Sequence, residues 1–140
     1  MIKFQQLPDN IESLIPQVTA YLKSNPQIIF AYIFGSFAKG KLKPLSDVDI
    51  AVYLQQGSDV VECKLEILGK LIDILQTDEI DLVVLNAVNL PLVINVLKSK
   101  KIIVDKEPFT RHIFESLAMR KYFDFSIKEA AILQRRYLHG

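Results

Sequence analysis

The sequence predicts a mixed-sheet α/β (α+β) domain, with helices packed on one face of the sheet. Two strand-like runs, Ile28 to Phe34 and Asp47 to Leu54, follow one another with no helical core pattern between them. Later strand-like runs alternate with helical ones, giving the order helix, strand, strand, helix, strand, helix, strand, helix. Two strands in succession ahead of an internal helix argue for a mixed sheet rather than a purely parallel one.

The elements follow from local pattern. From roughly Asn10 to Ser24, Ile11, Leu14, Ile15, Val18 and Leu22 recur at helical spacing. Pro16 falls inside that pattern, so the helix either kinks there or begins near Ser13 with Pro16 in the donor-free first turn. Asn25-Pro26 stops it. Ile28 to Phe34 is β-branched and aromatic, a buried strand. Gly35-Ser36 ends it, and Phe37 to Ser46, with Gly40, Pro44, Lys39, Lys41 and Lys43, reads as an irregular excursion. In the second strand Val48, Ile50, Val52 and Leu54 share one face, and Asp47, Asp49, Ala51 and Tyr53 the other. From Val60 to Gln76, the positions Val61, Leu65, Leu68, Ile72 and Leu75 form the expected core stripe of a helix. Ile80 to Asn86 is a third strand, with Asp81, Val83 and Leu85 on one face. Asn89-Leu90-Pro91 opens a helix running to about Lys98, and Lys101 to Asp105 is a fourth strand. Pro108 breaks the chain, and Phe109 to Leu138 is helical in composition with an interruption near Asp124.

Composition bounds the function. A chain of 140 residues, 50% hydrophobic and 24% charged, has the balance of one folded domain, with a core at 26–105 and a helical segment at 109–138. A net charge of +1 gives no overall attraction to nucleic acid or anionic membrane, so neither direct nucleic-acid binding nor a membrane partner is expected. The single cysteine, Cys63, excludes an internal disulfide framework and a Cys-rich zinc site, which fits a reducing cytoplasm. No cleavable signal opens the chain, and no apolar run has bilayer length.

The residues that carry chemistry are Gly35-Ser36, then ten residues, then Asp47-Val48-Asp49, with Asp81 on the next strand. Carboxylates at i and i+2 of a strand point to the same side, where their like charges repel unless a cation joins them. Hard oxygen ligands suit Mg²⁺, which takes a few carboxylates plus waters and substrate phosphates. Three acids on one sheet face are what a two-metal phosphoryl-transfer site needs, with ions about 3.5–4 Å apart. A glycine at a strand end lets backbone approach a ligand, and the following amides and the Ser36 hydroxyl can donate to phosphate oxygens. Lys39, Lys41 and Lys43 can neutralise a triphosphate, or serve only as a solvated loop. Asp73, Asp78 and Glu79 are the other acids near Asp81, the first on a helix and the others in a turn.

This constellation resembles the signature of the polymerase-β-like nucleotidyltransferase superfamily. Within it, Gly35-Ser36-Phe37-Ala38-Lys39-Gly40 and Ser46-Asp47-Val48-Asp49-Ile50-Ala51-Val52 look like the minimal nucleotidyltransferase (MNT) group, antitoxins that act beside helical HEPN-domain RNase toxins. The resemblance is specific over about residues 28 to 86. It implies the nucleotidyltransferase fold, with Gly35 and Ser36 holding the β- and γ-phosphates of ATP, and Asp47 and Asp49 binding both Mg²⁺ ions; Lys39, from the lysine-rich excursion, is the further nucleotide-binding candidate. It implies that Asp81 completes the catalytic metal site and assists deprotonation of the acceptor. The reaction implied is adenylylation of a tyrosine on a HEPN toxin partner, which silences it.

Competing readings fall into two groups. Gly35 to Lys41 is a near-match to the P-loop, but Leu42 stands where a metal-binding Ser or Thr is required and Pro44 blocks the following helix. Cys63 reads as a partly buried inert thiol, His112 as an isolated histidine, and Arg135-Arg136 as a solvated helix end. The apolar residues after Pro108, among them Phe109, Ile113, Phe114, Leu117, Tyr122, Phe123 and Ile127, serve a partner surface or the domain's own core. Two functional rivals stand beside the antitoxin enzyme: a small-molecule nucleotidyltransferase, and an antitoxin that blocks its toxin sterically.

Overall fold

The computed structural model describes residues 11–38 and 47–138. Its centre is strand β1 (Ile28–Phe34), buried at every position but Ile29. Strand β2 (Val48–Leu54) pairs antiparallel with β1 on one side, and β4 (Lys101–Asp105) pairs antiparallel on the other. Strand β3 (Ile80–Val84) lies parallel to β2, so the sheet order is β3-β2-β1-β4. The mixed sheet expected from the sequence is present.

The helices cover both faces of that sheet rather than one. On the first face, Ala31, Ile33, Ile50 and Val52 pack on Val18 and Leu22 of α1 (Ile11–Ser24), while α2 (Gly35–Ala38) is a single turn following β1. The same face receives Ile67 and Leu71 of α3 (Val60–Leu75). On the second face, Phe30, Tyr32, Phe34, Ala51 and Val83 meet Val93 and Ile94 of α4 (Leu90–Lys98) and Ala118 of α5 (Pro108–Leu138). The reason is in β1 itself. Its apolar run does not alternate with polar residues, so both of its faces must be withdrawn from water.

Local chemistry sets the element ends. Helix α1 runs from Ile11 with Pro16 inside it; Pro16 is exposed, so water can reach the Glu12 carbonyl left without an amide partner. The Asp59 side chain caps α3 by accepting from the Glu62 N–H at 3.1 Å, and Gln76 ends it with φ 57°. Asn89 caps α4 in the same way through the Leu92 N–H at 3.0 Å, with Pro91 in the first turn. Pro108 begins α5 rather than merely breaking the chain, and α5 continues through Asp124 without the expected interruption. Strand β3 ends at Val84 and passes into a 3₁₀ turn, Leu85–Ala87, earlier than the expected Asn86. There the Asn86 amide accepts from Leu54 N–H at 2.8 Å and donates to Leu54 C=O at 2.9 Å, taking the place of the missing strand residue.

The expected core stripe of α3 holds at Leu75 and in part at Leu68, but its N-terminal half is out of phase. Val61 and Leu65 are 69% and 66% exposed, and the buried line is Cys63, Ile67, Leu71 and Leu75. Both stripes are apolar at helical spacing, and docking against β1 and β2 decides between them. Cys63, expected to be partly buried, is buried, and burial raises its thiol pKa, which disfavours the nucleophilic thiolate.

A polar cluster fastens α5 to the second face. The Tyr32 hydroxyl donates to Glu115 at 2.6 Å, and Arg111 spans Glu115 and Asp105 at 3.0 Å each. Lys100 lies 3.4 Å from the same glutamate. Burial by itself would raise the Glu115 carboxyl pKa, but the Tyr32 hydroxyl, the Lys100 ammonium and the Arg111 guanidinium outweigh it and hold it below its ordinary value.

Two predictions follow from this packing. Leu71→Ala should cost about 2–5 kcal/mol in denaturant unfolding, and Leu65→Ala no more than about 0.5 kcal/mol. The reverse ranking would place the helix in the phase that the sequence pattern suggested. For Glu115, a depressed folded-state pKa means a contribution present above the unfolded value of about 4.3 and lost as pH falls through the lower folded one. Urea titrations between about pH 5.5 and 3 should show a shallower pH slope for Glu115→Gln than for wild type, and equal slopes would refute the network.

Candidate active site

The register of three strands assembles the candidate site. Phe34, the last residue of β1, stands opposite Asp49, and Asp49 stands beside Asp81 across the parallel β2–β3 pair. Residues paired in this way share a face, about 4.8 Å apart between strands. That face is the second one, lined by Phe34, Ala51 and Val83. Asp47 precedes β2, two residues from Asp49, beside the Val48 N–H that donates to Glu79 C=O at 2.9 Å. Asp47 and Asp49 are half-buried, and Asp81 is exposed.

Gly35 closes against this group from β1. Its φ is +71°, a conformation that disfavours any residue with a side chain. A Cβ there would also come closer than 3.0 Å to Oδ2 of Asp49 and within 3.3 Å of its Cγ. The Asp49 carboxylate therefore occupies the space that the missing side chain leaves. Gly35 and the Asp49 carboxylate, fourteen positions apart in the chain, are in contact. The Gly35 N–H donates to Oγ of Ser99 at 2.9 Å, at the junction of α4 and β4.

Of the residues singled out in the sequence, the structure thus brings together Gly35, Asp49 and Asp81, with Asp47 adjacent. The side chain of Ser36 and all of Lys39 lie outside the described residues, as do Lys41 and Lys43. Among the described residues no three His, Cys, Asp or Glu side chains form a metal-binding group on their own. His112 is exposed on α5, with its Nε2 3.2 Å from Arg111. Asp73 and Asp78 are also exposed, whereas Glu79 is buried. Sequence pattern gave no sign of Ser99. Its link to Gly35 spans 64 residues and is visible only once β1 and β4 are paired.

An apolar cavity of about 510 Å³ lies at the other end of β2, between the 3₁₀ turn, α4 and α5. Tyr53, Val93, Phe109, Phe114 and Leu117 line it. Tyr53 is four residues from Asp49 along the strand, roughly 13 Å away. That cavity is separate from the carboxylates.

The glycine contact yields a controlled test. Gly57 also has positive φ, at +87°, but nothing lies within 4 Å of the Cβ position. Gly57→Ala should therefore cost only the left-handed backbone term, about 1–2 kcal/mol. Gly35→Ala should cost a further 1–3 kcal/mol or so from overpacking against Asp49. The excess should shrink in an Asp49→Ala background, measured as a double-mutant cycle by urea unfolding. Equal costs at the two glycines would show that the carboxylate is not seated against Gly35.

Comparison with known proteins places this geometry. No curated protein sequence matches the chain. Among solved structures, a chain of a toxin–antitoxin complex with AMP-PNP is 25% identical, covering 88% of this chain and 95% of that one, with a TM-score of 0.68. A chain from the complex of a tri-AMPylated Shewanella oneidensis HEPN toxin with its MNT antitoxin is 24% identical over 88% and 92%, with a TM-score of 0.63. A chain of the MntA–HepT toxin–antitoxin complex is 23% identical over 91% and 97%, with a TM-score of 0.62. The profile of the family described as "Polymerase beta, Nucleotidyltransferase" matches residues 16–109, from within α1 through β4 and therefore across the whole sheet. The chain belongs to the polymerase beta nucleotidyltransferase family, and within it resembles the MNT-type antitoxins.

Proposed function

We propose that this protein is a Mg²⁺-dependent adenylyltransferase that acts as an antitoxin, moving AMP from ATP to a tyrosine hydroxyl of a HEPN-domain toxin. The observation that carries this reading is the seat of the Asp49 carboxylate against Gly35, in register with Asp81. A glycine turn that can admit phosphate lies against carboxylates that can serve as hard-oxygen ligands, on a nucleotidyltransferase scaffold, and this supports the reading. The HEPN toxin of one similar complex carries AMP, and another complex holds AMP-PNP, which supports the choice of nucleotide and partner.

The donor set fits Mg²⁺. Asp47, Asp49 and Asp81 are hard-oxygen donors, with Asp49 and Asp81 side by side on one face, and such carboxylates suit an ion that also keeps waters and takes phosphate oxygens as ligands. Mg²⁺ bound there would neutralise the triphosphate and lower the charge barrier to attack. The remaining work falls to the chain. The backbone after Gly35 and the Ser36 hydroxyl hold the β- and γ-phosphates, with Lys39 adding positive charge. Asp81 sits exposed on the same face, where it can orient an incoming hydroxyl and take part in removing its proton. The hydroxyl oxygen forms a bond to the α-phosphorus as the bond to the bridging oxygen breaks. Pyrophosphate leaves, and the proton passes by way of the carboxylate to water. A tyrosine hydroxyl, with an ordinary pKa of about 10, needs this help near neutral pH.

One observation favours the steric reading as a companion. Phe109, Ile113, Phe123 and Ile127 project from α5 at 45–78% exposure, a surface suited to holding a partner whether or not chemistry follows.

Labelled AMP transfer separates the two. Wild type with Mg²⁺-ATP should label the co-purified toxin, and Asp47→Asn with Asp49→Asn should lower the rate about 10³-fold or more. The same double variant should lose the Mg²⁺-dependent rise in thermal midpoint that ATP gives wild type. Asp81→Asn should slow transfer strongly while keeping that rise. Neutralisation of the toxin by a wild type that transfers no label would leave the steric reading standing alone.

A further inference from the structure

The pairing of β1 with β4 stops before β1 does. Its last two pairs are Tyr32 with Ile102 and Ile33 with Lys101. Continued by two residues, that register would set Gly35 opposite Ser99. But β4 begins only at Lys101, and the Ser99 N–H turns back to Val96 C=O at 3.2 Å to end α4. The Ser99 hydroxyl fills the gap. Its Oγ accepts from the Gly35 N–H at 2.9 Å, supplying from a side chain the acceptor that a longer β4 would have supplied from its backbone.

We propose that Ser99 is a positioning residue for the nucleotide site, an inference that rests on the adenylyltransferase reading above. Gly35 is held in the left-handed region with its Cα against the Asp49 carboxylate, so a shift of Gly35 moves the phosphate turn and a metal ligand together. Ser99 anchors Gly35 by one hydrogen bond. The next residue, Lys100, is held in turn by Glu115 of α5 at 3.4 Å and sits over the Tyr32 ring at 5.6 Å, which stiffens the junction. The bond also settles which amides an anion can use. The Gly35 N–H is occupied within the fold, which leaves those that follow it. With alanine at position 99 that N–H loses its acceptor, and the conformationally free glycine can shift away from Asp49.

The experiment pairs a ligand-free signature with an affinity. In wild type and Ser99→Thr, which keeps the hydroxyl, the Gly35 amide should exchange slowly with solvent in NMR spectra without nucleotide. In Ser99→Ala it should exchange at least tenfold faster. Mg²⁺-AMP-PNP affinity should fall about tenfold in Ser99→Ala and recover in Ser99→Thr, with the KM for the toxin unchanged. Should Ser99→Ala fail to fold, Ser99→Cys, near-isosteric with a weak acceptor, should show the same two losses. Wild-type binding of nucleotide with undiminished affinity in the alanine or cysteine variant would overturn the role of Ser99 alone. A wild type that binds no Mg²⁺-nucleotide would overturn the adenylyltransferase reading and this role with it.

Discussion

The register of β2 between its neighbours is the constraint on which the rest of the molecule depends. Side chains alternate along a strand, so a slip of one residue would carry Val48, Ile50, Val52 and Leu54 out of one core and turn Asp49 to the wrong face. The four aliphatic side chains are each at most 1% exposed, so such a slip would forfeit several kcal/mol of burial. The candidate site thus takes its geometry from the hydrophobic core. Apolar packing on the first face fixes where two carboxylates stand on the second.

Much of this was legible because it is local. The β-branched run of β1, the alternation of β2 and the Asn89-Leu90-Pro91 opening of α4 each act within a few residues, so pattern alone locates them. The Gly35-Ser36 to Asp47-Asp49 spacing assigned both groups to one candidate site, and the structure seats the Asp49 carboxylate against Gly35. What pattern could not reach depends on docking. Helix α3 carries two apolar stripes, and only the sheet decides that Ile67 and Leu71 go in while Leu65 stays out. The two-sided cover of the sheet follows from Phe30, Tyr32 and Phe34 sharing a face, a fact present in the sequence but overridden by the expectation of one open face.

Two strand ends in this fold are completed by side chains rather than backbone. Asn86 offers Leu54 both a donor and an acceptor, as a peptide group would, and Ser99 offers Gly35 an acceptor. Each lets the chain leave the sheet early without abandoning a buried polar group. The two side chains flank α4, Asn86 in the 3₁₀ turn ahead of its Asn89 cap and Ser99 as its C-cap. A short strand with a side-chain terminus is therefore an economical way to fit a helix over a small sheet.

Helix α5 has two halves of different character. Arg111, Phe114, Glu115, Ala118 and Tyr122 bind the first half to the domain, whereas Phe123, Phe125, Ile127 and Ile132 in the second are all more than half exposed. Forming an isolated helix is hindered chiefly by its first turn, and elongation from an existing turn is far easier. The anchored half has already taken that step. The distal half, roughly 20 Å long, is a helix seeded by the fold but not solvated comfortably by its own side chains. A protein that covers those aromatic and aliphatic groups would meet a helix already formed and would not have to create one from coil.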